Sequence, residues 1–231
     1  MSNLEQLRTL AEELDKKDLE LAKHDKYLRA IVEIQNILLA NGGSVFPAAL
    51  KKLGEVTHVS KAFVFTNLIY EGRIYASRQG MWRSEEITIP AVEHFAYDEA
   101  DLLYEKLSSN QIVHSVPSPG AEPWSSVLEN FELNSSLLIP LFIKEEYIGF
   151  VGISDYEDAE AWDKYELNLM RTVATGISFY LKNSRNEKKV ASAINSMKGI
   201  LETALTDPKL NCATCGVAKE ILFAIKNTIT G

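Results

Sequence analysis

The sequence predicts an α+β domain flanked by long helices at both ends. Three observations carry this: a leucine heptad near the start, two apolar β-hairpins in the middle, and an apolar-striped helical run after residue 162.

The heptad is counted from Leu7. Leu7, Leu14, Leu21, Leu28 and Gln35 take the a positions, and Leu10, Lys17, His24, Ile31 and Leu38 the d positions. Seven of these ten are Leu or Ile, and neither Pro nor Gly interrupts residues 1–40. A repeat of 3.5 residues keeps an apolar seam facing a partner helix, so residues 1–40 are expected to form a coiled coil. Lys17 and His24 weaken that seam and can set its register. The alternative is one long helix folded back on its own domain. Asn41, Gly42 and Gly43 then end the helix, because Gly tolerates a left-handed C-cap.

A helix over 44–59 follows, with Ser44 as N-cap, Pro47 in the first turn and Phe46, Leu50, Leu53 and Val56 on one face. Residues 61–70 and 74–84 are rich in β-branched and aromatic side chains and form a hairpin around Glu71 and Gly72, the second strand broken by Gly80. A short helix over 98–108, a strand over 111–116, a Pro/Gly loop over 117–120 and a helix over 122–132 come next. Residues 135–155 read as two strands turning at 144–146. They are apolar at nearly every position, so both sheet faces are covered, and Pro140 belongs at an edge or bulge. The final long helix opens at Trp162 and Glu166 with Leu167, Met170, Val173, Ala174, Ile177 and Leu181 on one face. It continues through Val190, Ile194, Met197, Leu201 and Leu205 at near-heptad spacing.

Composition narrows the function. The 231 residues carry a net charge of −8, with no basic surplus to neutralise phosphates, so nucleic acid is not an expected partner. No apolar run approaches the ~20 residues that span a bilayer, and the polar N-terminus lacks a signal-peptide pattern. A cytoplasmic protein without membrane association is expected. No P-loop, dinucleotide fingerprint, H-E-x-x-H or G-x-S-x-G occurs, so no enzymatic activity is expected.

Ser136 to Leu141 with Pro140, then Gly149-Phe-Val-Gly-Ile153, then Trp162, Glu166, Met170, Ala174 and Ile177 resemble the closing half of a GAF domain. With the order of elements, the resemblance covers residues 28–182. It implies a central antiparallel sheet of five or six strands with helices on both faces. It also implies first and last helices packed on one face as a dimer bundle, and a small-molecule pocket on the other face. The domain plan is then 1–40 coiled coil running into the domain, 28–182 the GAF-like domain, 183–206 continuation of the last helix, and 207–231 a tail. Candidate dimer residues are Leu7, Leu14, Leu21, Leu28, Ile31, Ile194 and Leu201.

Candidate ligand-binding residues are Phe65, Tyr75, Trp82 and Trp124 for apolar contact, with Arg78, His94 and His114 as placed polar groups. The cofactor is unknown. Residues 28–182 contain no Cys, which argues against a thioether-linked bilin and against thiol chemistry in the pocket. Haem would need an axial His, from His94 or His114. The tail carries Cys212 and Cys215 in C-x-x-C spacing. A zinc site shared across a dimer, a redox pair and an idle reduced pair all remain open. The expected function is a homodimeric sensor that reads a small molecule or redox state and relays it through its terminal helices to a downstream signalling protein. A ligand-free structural dimer and a thiol or metal protein are the alternatives.

Overall fold

The computed structural model describes residues 3–40, 45–84, 92–97, 101–115, 135–155 and 162–206. The chain divides into two compact units, Met1–Tyr180 and Leu181–Gly231. In the first unit the order is α1 (Asn3–Leu39), α2 (Phe46–Thr57), β1 (Lys61–Tyr70), β2 (Arg73–Arg83), β3 (His94–Ala96), α3 (Asp101–Ser108), β4 (Val113–Ser115), β5 (Ser135–Ile143), β6 (Glu146–Asp155) and the start of α4 (Lys164–Thr206). The expected 117–120 loop and 122–132 helix lie outside the described residues, as do Trp124, Cys212 and Cys215.

The six strands form one antiparallel sheet in the order β3-β2-β1-β6-β5-β4. The β1–β2 hairpin turns at Glu71 (φ 50°) and Gly72 (φ 79°), the left-handed pair that matches strand twist. Its register shifts between Val64 and Phe65: Val64 faces Gly80 while Phe65 faces Arg78, leaving Gln79 as the extra residue. Gly80 therefore marks a bulge within a continuous strand. β3 has no counterpart in the sequence reading; it is three residues long and pairs with Tyr75–Ser77.

Alternation sorts the sheet into two faces. On one face Gly80 meets Phe46 and Leu50, and Gly54 meets the Trp82 ring, so α2 lies directly on β2. The end of α1 packs there through Tyr27, Ala30, Ile34 and Leu38, all buried. α4 joins through Leu169, Met170, Val173, Ala174 and Ile177. Leu169, rather than the half-buried Leu167, completes its stripe. Gly176 meets the Gln35 amide, which donates to Thr172 O, so α1 and α4 run side by side in the same direction. The Phe46 and Tyr180 rings meet edge-on at 5.4 Å. α2 ends two residues before expected because His58 adopts φ 56° and donates its N–H to Gly54 O; the cap position at its start is Val45, not Ser44.

Candidate functional site

The opposite face of the sheet carries an aromatic layer. Phe63, Phe65 and Asn67 alternate along β1. Phe65 and Phe150 stack at 5.3 Å and 13°, Phe63 meets both edge-on, and Phe95 of β3 tilts against Phe65 at 5.8 Å. Ala76, Leu103, Leu107, Val113 and Leu138 close around the rings. Phe63, Phe65 and Phe150 are each only 2% exposed.

A polar island sits beside these rings. The hydroxyls of Tyr97 and Tyr147 are 3.0 Å apart, Tyr97 donates to Asn67 Oδ1 at 3.1 Å, and Asn67 Nδ2 donates to Tyr147 O at 3.0 Å. Tyr104 packs edge-on against both tyrosines. Burial pushes both phenols well above the ordinary tyrosine range, so they stay neutral donors and acceptors. At the Phe65 register position, Arg78 pairs its Nη2 with Glu93, and its backbone N–H donates to Glu93 O at 2.8 Å. Its Nη1 is buried and makes no hydrogen bond among the described residues. A buried N–H without an acceptor is costly, so an incoming acceptor is favoured there.

Of the residues singled out in the sequence, Phe65 and Arg78 share this face. Tyr75 pairs with Leu68, and Trp82 packs on Gly54 of α2; alternation puts both on the helix face. His94 pairs with Ser77 and His114 with Leu137, which puts both on that same helix face, and both are exposed. His114 keeps an exposed edge, and desolvation by the groups packed around the rest of its ring holds its pKa below the ordinary imidazole value. Among the described residues the histidines therefore do not converge on the aromatic layer. Asn67, Tyr147 and Phe150 do, and sequence reading does not select them. The period-two spacing Phe63, Phe65, Asn67 was the available signal for the first.

A second constellation ties the two long helices together. Asp163 and Glu166 form a reciprocal capping box at the start of α4. Asp163 Oδ1 accepts from the N–H groups of Tyr165 (2.7 Å) and Glu166 (2.9 Å), and Glu166 Oε2 accepts from Asp163 N–H (2.9 Å). Lys23 of α1 donates to Asp163 Oδ2 (2.6 Å) and Glu166 Oε1 (3.1 Å), and Tyr27 hydroxyl donates to Glu166 Oε1 at 3.2 Å. Burial works against the Lys23 charge, but its two carboxylate partners more than offset this and raise its pKa. Burial would likewise raise the Asp163 pKa, and the Lys23 hydrogen bond reverses this to leave it lowered. Burial, with Glu166 alongside, pushes the Tyr27 phenol up to about 12.

N-terminal to this junction, α1 is exposed. Leu7, Leu14 and Leu21 are 66%, 61% and 64% exposed, and Leu28 beside the junction is 48% exposed. Leu10, Val32 and Leu39 are also exposed, and Ile31 is half-buried. In the second unit, α4 exposes Val190, Met197 and Ile200, and Ile194 is half-buried. Leu201 lies on the same helix. No described helix is long and apolar enough to cross a membrane.

The GAF domain model matches residues 42–181, more than half of the chain. The chain belongs to the GAF domain family. This GAF domain is similar to the methanogenesis regulatory histidine kinase FilI of Methanothrix harundinacea (strain 6Ac). The two are 24% identical over 182 residues, which cover 76% of this chain and 20% of the kinase. The chain thus spans about a fifth of that relative's length. Among solved structures, bacteriophytochrome RpBphP3 from R. palustris matches with a TM-score of 0.60 at 11% identity, over 87% of this chain and 46% of that one. The far-red absorbing dark state of JSC1_58120g3 with bound biliverdin IXa matches with a TM-score of 0.55 at 11% identity, over 69% of this chain and 99% of that one. At these identities the likeness establishes a shared fold.

Proposed function

We propose that this chain is a homodimeric, non-catalytic sensory module of the cytoplasm. A small molecule engages its aromatic face, and α1 and α4 relay the event to a downstream signalling protein. The observation that carries this reading is α1. Its C-terminal part is bonded to the cap of α4, while its N-terminal part offers an exposed leucine seam with nothing against it among the described residues. Apolar side chains left in water forgo their burial energy, so a partner helix against this seam is favoured, and a second copy supplies the matching seam. The match to part of a regulatory histidine kinase supports a signalling setting.

Signalling needs a ligand that binds two arrangements of the helices with different affinity. The Lys23–Asp163–Glu166 junction is the place where such arrangements would differ. Biliverdin, held by the JSC1_58120g3 domain, does not fit this chain as a thioether adduct. Its cysteines, Cys212 and Cys215, lie outside residues 42–181, and stacked phenylalanines occupy the aromatic face. That dense packing also favours a second reading, a ligand-free connector dimer.

Native mass spectrometry of the full chain tests both. A dimer that becomes monomeric in Leu14→Asp/Leu21→Asp supports the module. A monomeric wild type overturns it. A dimer carrying a small-molecule adduct favours the sensor over the connector.

A further inference from the structure

The sheet edge offers a site separate from the aromatic face. β4 pairs with β5 only as far as Leu138, and β5 runs on to Ile143 with that edge unpaired among the described residues. A groove of about 870 Å³ opens along that edge, between the end of α3, the β5–β6 turn and α4. Small-molecule sites typically measure ~300–1,000 Å³. The floor is apolar: Ile139, Pro140, Phe142 and Ala174. Asn110, Thr175 and Ser178 add hydrogen-bonding groups around it.

Charge decides what this groove would hold. Lys144 enters from the β5–β6 turn and Arg171 from α4, against one carboxylate among the described residues, Glu145. Neither cation has an ion-pair partner among the described residues. Pro140 has no N–H to offer an added strand, so the free edge is poorly suited to a peptide. Two unpaired cations beside an apolar floor match a molecule with an anionic head and an apolar body.

We infer that this groove is a ligand site for a small amphiphilic anion. Its carboxylate or phosphate group meets Arg171 and Lys144, and its apolar body covers Ile139, Pro140 and Phe142. The site is independent of any ligand on the aromatic face. Arg171, Ala174, Thr175 and Ser178 lie within two turns of α4, so occupancy would bear directly on that helix.

Octanoate titrated into the ¹⁵N-labelled full chain tests this by NMR, with octanol and inorganic phosphate as separate arms. Octanoate is expected to shift the amides of Asn110, Phe142, Lys144 and Thr175 saturably, with octanol and phosphate each binding about tenfold or more weakly. Arg171→Gln/Lys144→Gln alters exposed positions and is expected to weaken octanoate binding about tenfold with the fold intact. Absence of saturable shifts, unchanged affinity in the double variant, or equal binding by phosphate overturns the inference. Shifts confined to Phe65, Tyr97 and Tyr147 also overturn it, while supporting the aromatic face as the ligand site.

Discussion

Gly149 sits at φ 141°, and a Cβ there would strike Phe65 O and lie 2.7 Å from Thr66 Cα. Backbone cannot yield as a flexible side chain would, so strain and overlap add. Gly149→Ala is expected to cost about 3 kcal/mol or more, read as a lower urea midpoint; a change below about 1 kcal/mol would contradict the packing. Tyr147→Phe removes one hydroxyl from a buried pair and leaves Tyr97 to rely on Asn67. A cost of about 1–2 kcal/mol is expected in the same measurement. These contacts show how much of the site was legible. Phe65 and Arg78 could be read from local composition. The burial face of Tyr75, Trp82, His94 and His114 could not, because it depends on the bulge at Val64/Phe65 and on the register of β3 and β4. One residue of slip exchanges the faces of a strand, and local sequence does not encode that slip.

The long helices and both hairpins were legible because their periods are sustained: five heptads in α1, and two apolar runs with turn residues between them. β3 was not, since three residues carry no period and it forms by pairing with β2. Nor was the junction of α1 with α4, which joins residues about 140 positions apart through Lys23. The junction makes a pH prediction. Asp163 has a lowered pKa when folded, so its contribution is present above the ordinary carboxylate range and is lost as pH falls through the folded value. Lys23 has a raised pKa, so its contribution is present below its usual 10.5 and is lost as pH rises through the folded value. Both partners are partly solvated, which limits the pair to about 1 kcal/mol or less. In thermal melts, the Tm gap between wild type and Lys23→Met is therefore expected to be widest between about pH 5 and 9. It should close toward pH 3; a gap that stays constant would show that the Lys23 stem, rather than its charge, does the stabilising. Asp163→Ala removes the cap itself and is expected to cost about 1 kcal/mol, with faster amide exchange at Tyr165 and Glu166.

The proposed dimer brings the charge of the whole molecule into play. In the heptad frame the positions flanking the α1 seam include Glu13, Asp18 and Asp25, all exposed, and the half-buried Glu20. A parallel in-register pair sets Glu13 against the partner copy's e-position acid and Glu20 against the next one. An antiparallel pair also sets acid against acid. Arg29 pairs with Asp25 at 2.8 Å and relieves only one of these positions. A net charge of −8 adds long-range repulsion between copies. The seam is therefore apolar attraction working against like charge, and salt screens only the second. The Debye length falls from ~10 Å at 0.1 M to ~3 Å at 1 M salt. Sedimentation equilibrium is expected to show the dimer tightening several-fold as sodium chloride rises from about 0.05 to 0.5 M. Glu13→Lys/Glu20→Lys should reproduce that gain at low salt and leave little for added salt to do. A dimer that loosens as salt rises would mean that opposite charges hold it, which would move the interface away from the α1 leucines.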